Sequence, residues 1–468
     1  PWLFLVYIND LIYELENTYW SVFLYKKYFG SPMFADDLTL LSRMKKGLDR
    51  LLCCLNSYAL KWRIELNINK TVIMVFGEEK NRCNIASERI WLLGDAPLKE
   101  SNTWKNLGKL WHVDSDSAEI VRVTVNKGFD TISKLAKLGC RAGGLNPKIA
   151  AKLWESIALP HILYGCELWY LKGNQIKELE RVLNVFCRMI QCLIPGSSGS
   201  AARGLLGLRS IKTEISKRKL YLLGRIINSS SSLAHRKLFI RKLVTWKWKQ
   251  NNCTMTGFVP DIIKLLVKVN LFSYITDFFK KDYFPTKTTW KQIVKKAVYE
   301  NDHCEWVDKI KRKKELEFYR WSQPCITMST WYDLWKYGYS KQIIDILRLL
   351  CGSLTVKKER FGNPGTLNGI CSACQEPYNN AVHHAILFCR QTEVVRESWW
   401  SWIEDHLPMT ICRSFHNLDD QSFIRALLGD YFVLNSSVDS FDNDFKLECA
   451  KYISYCIQNS VFDPFVIS

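Results

Sequence analysis

Two adjacent aspartates, Asp36 and Asp37, sit in the run Phe34-Ala35-Asp36-Asp37-Leu38-Thr39-Leu40-Leu41, with apolar residues on both sides. Most acidic doublets are solvated turn residues. Asp419-Asp420 is this chain's own example: it lies in a polar stretch and is assigned no site. The apolar flanks of Asp36 and Asp37 predict a hairpin whose tip holds both carboxylates at a buried sheet. Carboxylates held there lose hydration and repel each other unless a cation compensates. Magnesium suits such a place, because it takes hard oxygen ligands together with substrate phosphates. Two such ions can activate an attacking hydroxyl and stabilise departing pyrophosphate.

The surrounding pattern mixes strand and helix. Residues 7–16 suit a helix, and Phe23-Leu24-Tyr25 suits a strand. Leu48, Leu51, Leu52, Leu55, Ala59 and Trp62 recur at helical spacing. Ile64, Leu66 and Ile68 then alternate with polar residues and 72–76 is a β-branched run, which predicts two more strands and an α+β sheet domain. From about Lys127 the chain reads as mainly helical. Residues 149–159 are amphipathic up to Pro160, and a stripe through Leu179, Val182, Phe186 and Ile190 closes at Pro195-Gly196. Residues 196–200 and 229–232 read as flexible breaks, and 362–365 as a loop.

At 468 residues the chain is long enough for several domains, and its 47% apolar content can fill real cores. A net charge of +19 favours a polyanionic partner, nucleic acid above all. An anionic membrane is the rival, but no basic amphipathic helix stands beside a lipid-anchor motif, and no apolar run approaches the ~18 residues that span a bilayer. Seventeen cysteines, an odd number, include Cys53-Cys54 and singles inside apolar helical stretches such as Cys140 and Cys187. That usage predicts a reducing, intracellular compartment, nucleus or cytoplasm, with most thiols serving as small core residues.

A second chemical cluster lies far downstream. Cys371-x-x-Cys374 is followed by His383-His384 and Cys389, a spacing suited to a tetrahedral zinc site. Asn379 and Asn380 predict a loop ahead of a short helix from Ala381, with His384 and Cys389 about a turn apart. Unbound residues in a cysteine-rich chain are the plain alternative. Zinc is the better expectation, because so small and loop-rich a segment has little core of its own.

The order of Pro1-Trp2-Leu3-Phe4-Leu5-Val6-Tyr7-Ile8-Asn9-Asp10-Leu11, Phe34-Ala35-Asp36-Asp37, Trp62 and Asn67-Ile68-Asn69-Lys70-Thr71 resembles the palm of non-LTR (LINE-type) retrotransposon reverse transcriptases. The likeness extends to Trp104-Lys105-Asn106-Leu107-Gly108 near the family's primer grip, and to the thumb helix at 159–169, Leu-Pro-His-Ile-Leu-Tyr-Gly-Cys-Glu-Leu-Trp. It implies an RNA-directed DNA polymerase acting on an RNA template and a DNA primer or target. Asp36 and Asp37 would be magnesium ligands, Lys70 a candidate proton donor to pyrophosphate, and Lys105 a nucleic-acid contact. The family's fingers and first catalytic aspartate would precede residue 1, so the chain alone is expected to be a catalytically incomplete fragment. Cys371, Cys374, His384 and Cys389 also resemble the zinc knuckle beyond the thumb in that family, whose pattern selects His384 over His383. Ile346-Leu347-Arg348-Leu349 and Arg360-Phe361-Gly362 fit the same neighbourhood.

These readings divide the chain into a truncated palm (1–115), a helical thumb (120–235), a helical connector (236–365), the knuckle (366–395) and a helical tail (396–468). In the connector, Trp246-Lys247-Trp248-Lys249 can contact phosphates and stack on bases, or form an amphipathic helix with tryptophan inward. The basic run 309–314 reads as a solvated helix face, and Trp399, Trp400 and Trp402 as packing for the terminal helices. The tail holds no carboxylate–lysine constellation of a restriction-like nuclease. A non-catalytic nucleic-acid-binding module and a decayed remnant remain the alternatives to a polymerase fragment.

Overall fold

The computed structural model describes residues 2–24, 26–77, 90–113, 117–248, 257–338, 340–354, 369–434, 443–460 and 462. Their secondary structure is mostly helical, with a few short strands, compatible with an α+β class. The described strands pair two by two and do not join into one sheet, so the broad sheet expected around the doublet is not formed among them. Most are only two residues long and exchange their hydrogen bonds within a single pair. The expected loop at 362–365 and Arg360-Phe361-Gly362 lie outside the described residues. Among the described residues no helix is long and apolar enough to cross a membrane. The described cysteines are all free.

The chain divides into two compact units that do not follow sequence order: 1–123 with 165–171 and 218–293, and 124–164 with 172–217 and 294–468. In the first unit, helices Trp2–Asn17 and Lys45–Trp62 bury Ile8, Leu11, Leu15, Leu51 and Tyr58 against each other. The Tyr58 hydroxyl donates to Asp10 Oδ1 at 2.7 Å, which supplies a partner for a buried polar atom. The second helix ends at Arg63, whose φ of 54° is left-handed. Beyond it Leu66 and Ile68 turn inward onto a core of Leu52, Ile73, Trp91, Leu93 and Leu98. The alternation predicted at 64–68 therefore exists as burial, but among the described residues no strand pairs with it. Of the run at 72–76 only Val72–Ile73 pairs, in parallel with Lys99–Glu100.

In the second unit, helix Gly173–Ile190 buries Leu179, Val182, Leu183, Phe186 and Ile190, the predicted stripe. The break expected at 196–200 is instead a buried helix start, with Ser198 Oγ accepting from the Ala201 N–H above Gly199–Leu205. Pro160 does not stop the amphipathic segment before it. Helix Pro147–Leu153 passes into a π-turn, Trp154–Ala158, and Leu159–Ile162 carries the helix on through the proline. The terminal helix Asn443–Gln458 packs on Ser340–Leu350, where buried Asp345 accepts from Ser454 Oγ and Gln458 Nε2, each at 2.7 Å.

Candidate metal centre and the aspartate hairpin

Between Gly369 and Cys389 the backbone is shaped to bring four soft ligands together. A two-stranded hairpin pairs Gly369 with Tyr378 and Ile370 with Pro377. Within it the Cys371 N–H donates to Glu376 O at 2.9 Å, the Gln375 N–H donates to Cys371 O at 2.8 Å, and Gln375 adopts a left-handed φ of 63°. That tight turn puts Cys371 and Cys374 on the same side. The second pair comes from the helix that follows. The Asn380 side chain caps its start by accepting from the Val382 and His383 N–H groups at 2.9 and 3.2 Å.

His384 and Cys389 are five residues apart, which in a regular α-helix would leave them about 140° out of line. The chain corrects this with a π-turn over His384–Phe388, closed by the Cys389 N–H donating to His384 O at 2.7 Å. The sulfur and imidazole nitrogen atoms of Cys371, Cys374, His384 and Cys389 thereby lie within 4.8 Å of one another. Cys374 Sγ is 3.3 Å from His384 Nε2. Three of the four residues are buried and Cys374 is partly so. This is a Cys3His set able to hold a tetrahedral metal ion.

Electrostatics suit a cation here. Burial pushes the Cys389 thiol up to about 12, an effect that a coordinating divalent ion reverses. Burial also lowers the His384 imidazole, assisted by Arg396, which favours the neutral ring that metals bind. The expected choice between the two histidines falls to His384. His383 instead packs its ring 5.9 Å from Phe318.

Sequence reasoning missed the supports. The Tyr452 hydroxyl donates to Ile386 O inside the π-turn, and Arg396 donates to Ile386 O and Cys389 O at 3.3 and 3.4 Å. Thr392 Oγ1, fully buried, donates to Cys389 O at 3.0 Å. Trp399 stacks on Tyr452 at 5.5 Å, so the tryptophan cluster does pack the terminal helices, and those helices also buttress the metal-ligand turn. Only Asn380 had a local signal, as an asparagine before a short helix. Tyr452 lies 66 residues from its partner and had none.

Asp36 and Asp37 occupy a different setting. Met33 pairs with Leu38 and Phe34 with Asp37, so Ala35-Asp36 is the two-residue turn of a tight hairpin. Ala35 has a left-handed φ of 53°, a conformation that this turn position normally gives to glycine. The stem is anchored, since Met33, Leu38 and Leu40 pack on the core around Leu11 and Tyr58. The tip is not buried as expected: Asp36 and Asp37 are exposed and Phe34 is 67% exposed. The inward residues of the stem are Met33, Leu38 and Leu40, and the pleat sends Phe34 outward. Asp36 and Asp37 belong to no group of three or more potential metal ligands among the described residues.

Lys70 ends a 3-10 turn in which Asn67 Oδ1 accepts the Lys70 N–H at 3.1 Å, and its side chain is exposed. Ile68 and Leu40 reach the same core around Ile73, which brings the lysine-bearing and aspartate-bearing segments onto one cluster. Lys105 is exposed on the hairpin of Thr103–Asn106 with Lys109–His112, turned through Leu107 and Gly108. Trp246 is half-buried on helix Ala234–Trp248, which includes Lys247 and Trp248; Lys249 lies outside the described residues. The doublet Asp419-Asp420 starts a helix, with Asp419 Oδ1 accepting the Ser422 N–H at 3.2 Å ahead of Asp420–Leu427.

No protein-family model matches this chain, and no curated protein matches it.

Proposed function

We propose that the chain carries palm and thumb segments of a non-LTR retrotransposon reverse transcriptase, and that by itself it binds nucleic acid without extending a primer. The observation that carries the reading is the hairpin at Asp36 and Asp37. An acidic doublet at a tight, strained turn, on a stem anchored in the core that also receives the Asn67–Thr71 segment, is an arrangement suited to presenting carboxylates to metal-bound phosphates. In this reading Lys70 would give a proton to departing pyrophosphate and Lys105 would contact the primer–template. Two carboxylates without a further ligand hold magnesium weakly, so nucleotidyl transfer needs more than the doublet.

Zinc is the metal proposed for Cys371, Cys374, His384 and Cys389. Four protein ligands leave no open coordination position, so its contribution is to order the fold. The ordered module, in a chain with a net charge of +19, would then serve as a grip on RNA or single-stranded DNA. A second reading, a non-catalytic nucleic-acid-binding module or a decayed remnant, is favoured by the solvent exposure of both aspartates.

RNA-templated primer extension tests the first reading. The chain alone should bind RNA in low salt and extend nothing. Joined to the fingers and first palm strand of a non-LTR reverse transcriptase, it should extend a primer, and Asp36→Asn or Asp37→Asn should abolish that extension. Extension by the joined protein that survives both substitutions would refute the reading.

A further inference from the structure

The first unit contains an open notch of about 410 Å³, at the start of helix Ala234–Trp248 and beside helix Ser273–Lys281. We infer that this notch binds one nucleotide of a single-stranded nucleic acid, the phosphate on Arg236 and Lys237 and the base against Phe279. The inference builds on the reading that the chain binds nucleic acid, and it assigns that binding to a place outside every motif noted above.

Several observations converge on the notch. Its volume falls in the range of small-ligand sites, roughly 300–1,000 Å³. Arg236 and Lys237 both line it. Arg236 already donates from Nη1 to Ser229 O at 3.1 Å, yet its Nε is buried and meets no acceptor among the described residues. The Ser229 bond fixes the guanidinium beside the notch, and a fixed guanidinium is a good partner for a phosphate oxygen. The helix behind it carries Arg236, Lys237, Arg241 and Lys242 and no acidic residue, so the local field favours an anion.

The remaining walls narrow the ligand from any anion to a nucleotide. Phe279, 42% exposed, supplies an aromatic surface, backed edge-on by the buried Phe278 ring 5.6 Å away. A free phosphate makes no use of such a surface, whereas a base stacks on it. Asp282 also lines the notch. Its carboxylate opposes a bare phosphate or an anionic lipid headgroup, but it accepts from a ribose hydroxyl or a base amino group.

The test is fluorescence anisotropy of a labelled single-stranded RNA about 15 nucleotides long, titrated with the full chain from about 50 to 200 mM salt, with phosphatidylserine vesicles as competitor. Arg236→Gln and Lys237→Gln should each weaken binding about three- to tenfold and lower the salt slope by about one. Phe279→Ala should weaken binding about fivefold or more with the slope unchanged. Lys237 and Phe279 are exposed, so those two variants decide the matter if Arg236→Gln fails to fold. RNA binding with affinity and slope unchanged in Lys237→Gln and Phe279→Ala overturns the notch and leaves the proposed function standing. No RNA binding by the parent chain overturns both. Competition by the vesicles that Lys237→Gln abolishes would assign the notch to membrane instead, and overturn it.

Discussion

The Cys371–Cys389 cluster and the Asp36–Asp37 hairpin both set side chains of metal-binding type at a short antiparallel turn, and they differ in nearly every other respect. At the cluster four ligands converge, and the turn between two of them is held from behind by Tyr452, Arg396 and Thr392. At the hairpin two carboxylates stand in water on a turn whose support reaches only its stem. The contrast separates a buried, crowded set of side chains that a cation would stabilise from an exposed pair that is stable without one. Buried thiols and an imidazole have little reason to crowd together without a cation, while exposed carboxylates cost almost nothing when left alone.

That contrast makes its largest prediction about metal removal. Stripping metal with a chelator, or substituting Cys389→Ser, should lower the melting temperature by roughly 10 °C, because metal binding and local folding are coupled. An unchanged calorimetric trace would break the comparison at its stronger half. Tyr452→Phe comes next: the Ile386 carbonyl in the π-turn keeps only the longer bond from Arg396, at a cost of about 0.5–1.5 kcal/mol in denaturant melts, and metal affinity should fall with it.

A titration sharpens the other side. Burial lowers Lys109 in the first unit to about 8, an effect that Glu167 only partly offsets. A base whose folded pKa is depressed binds fewer protons folded than unfolded between that value and its ordinary one near 10.4, so stability rises with pH across this window. Below about pH 8 the full cost of the buried charge is present. Lys109→Met should therefore raise the melting temperature at pH 7 by a few degrees, and the gain should shrink as the pH climbs towards 10. A gain independent of pH would mean that packing, not charge, is responsible. The smallest effect belongs to Asp36→Asn with Asp37→Asn, which should change stability by less than about 0.5 kcal/mol and leave metal content untouched. A larger loss in magnesium would show that the hairpin holds an ion after all.

How much of this was legible depends on how local the determining interactions are. The stripe on Gly173–Ile190 and the helix Lys45–Trp62 follow from spacing, because each needs only its own periodicity. The three cysteines and the His383-His384 pair were legible from their spacing, and the choice of His384 followed from the family resemblance. What spacing could not convey was the π-turn that aligns His384 with Cys389, or the tyrosine from the terminal helix that braces it. The hairpin at Asp36 was readable from its flanks, but the depth of its tip was not. Which flank residues face inward depends on register, and a shift of one residue exchanges Phe34 for Met33. The alternation at 64–68 misled in a related way, since burial alternates there without a partner strand to pair with.

The most direct test of the central contrast is metal stoichiometry of the purified chain combined with zinc X-ray absorption. The account predicts one zinc per chain, with three sulfurs at about 2.3 Å and one nitrogen at about 2.0 Å, retained in Asp36→Asn/Asp37→Asn and lost in Cys389→Ser. Zinc that survives Cys389→Ser at full occupancy, or a shell dominated by oxygen, would contradict it.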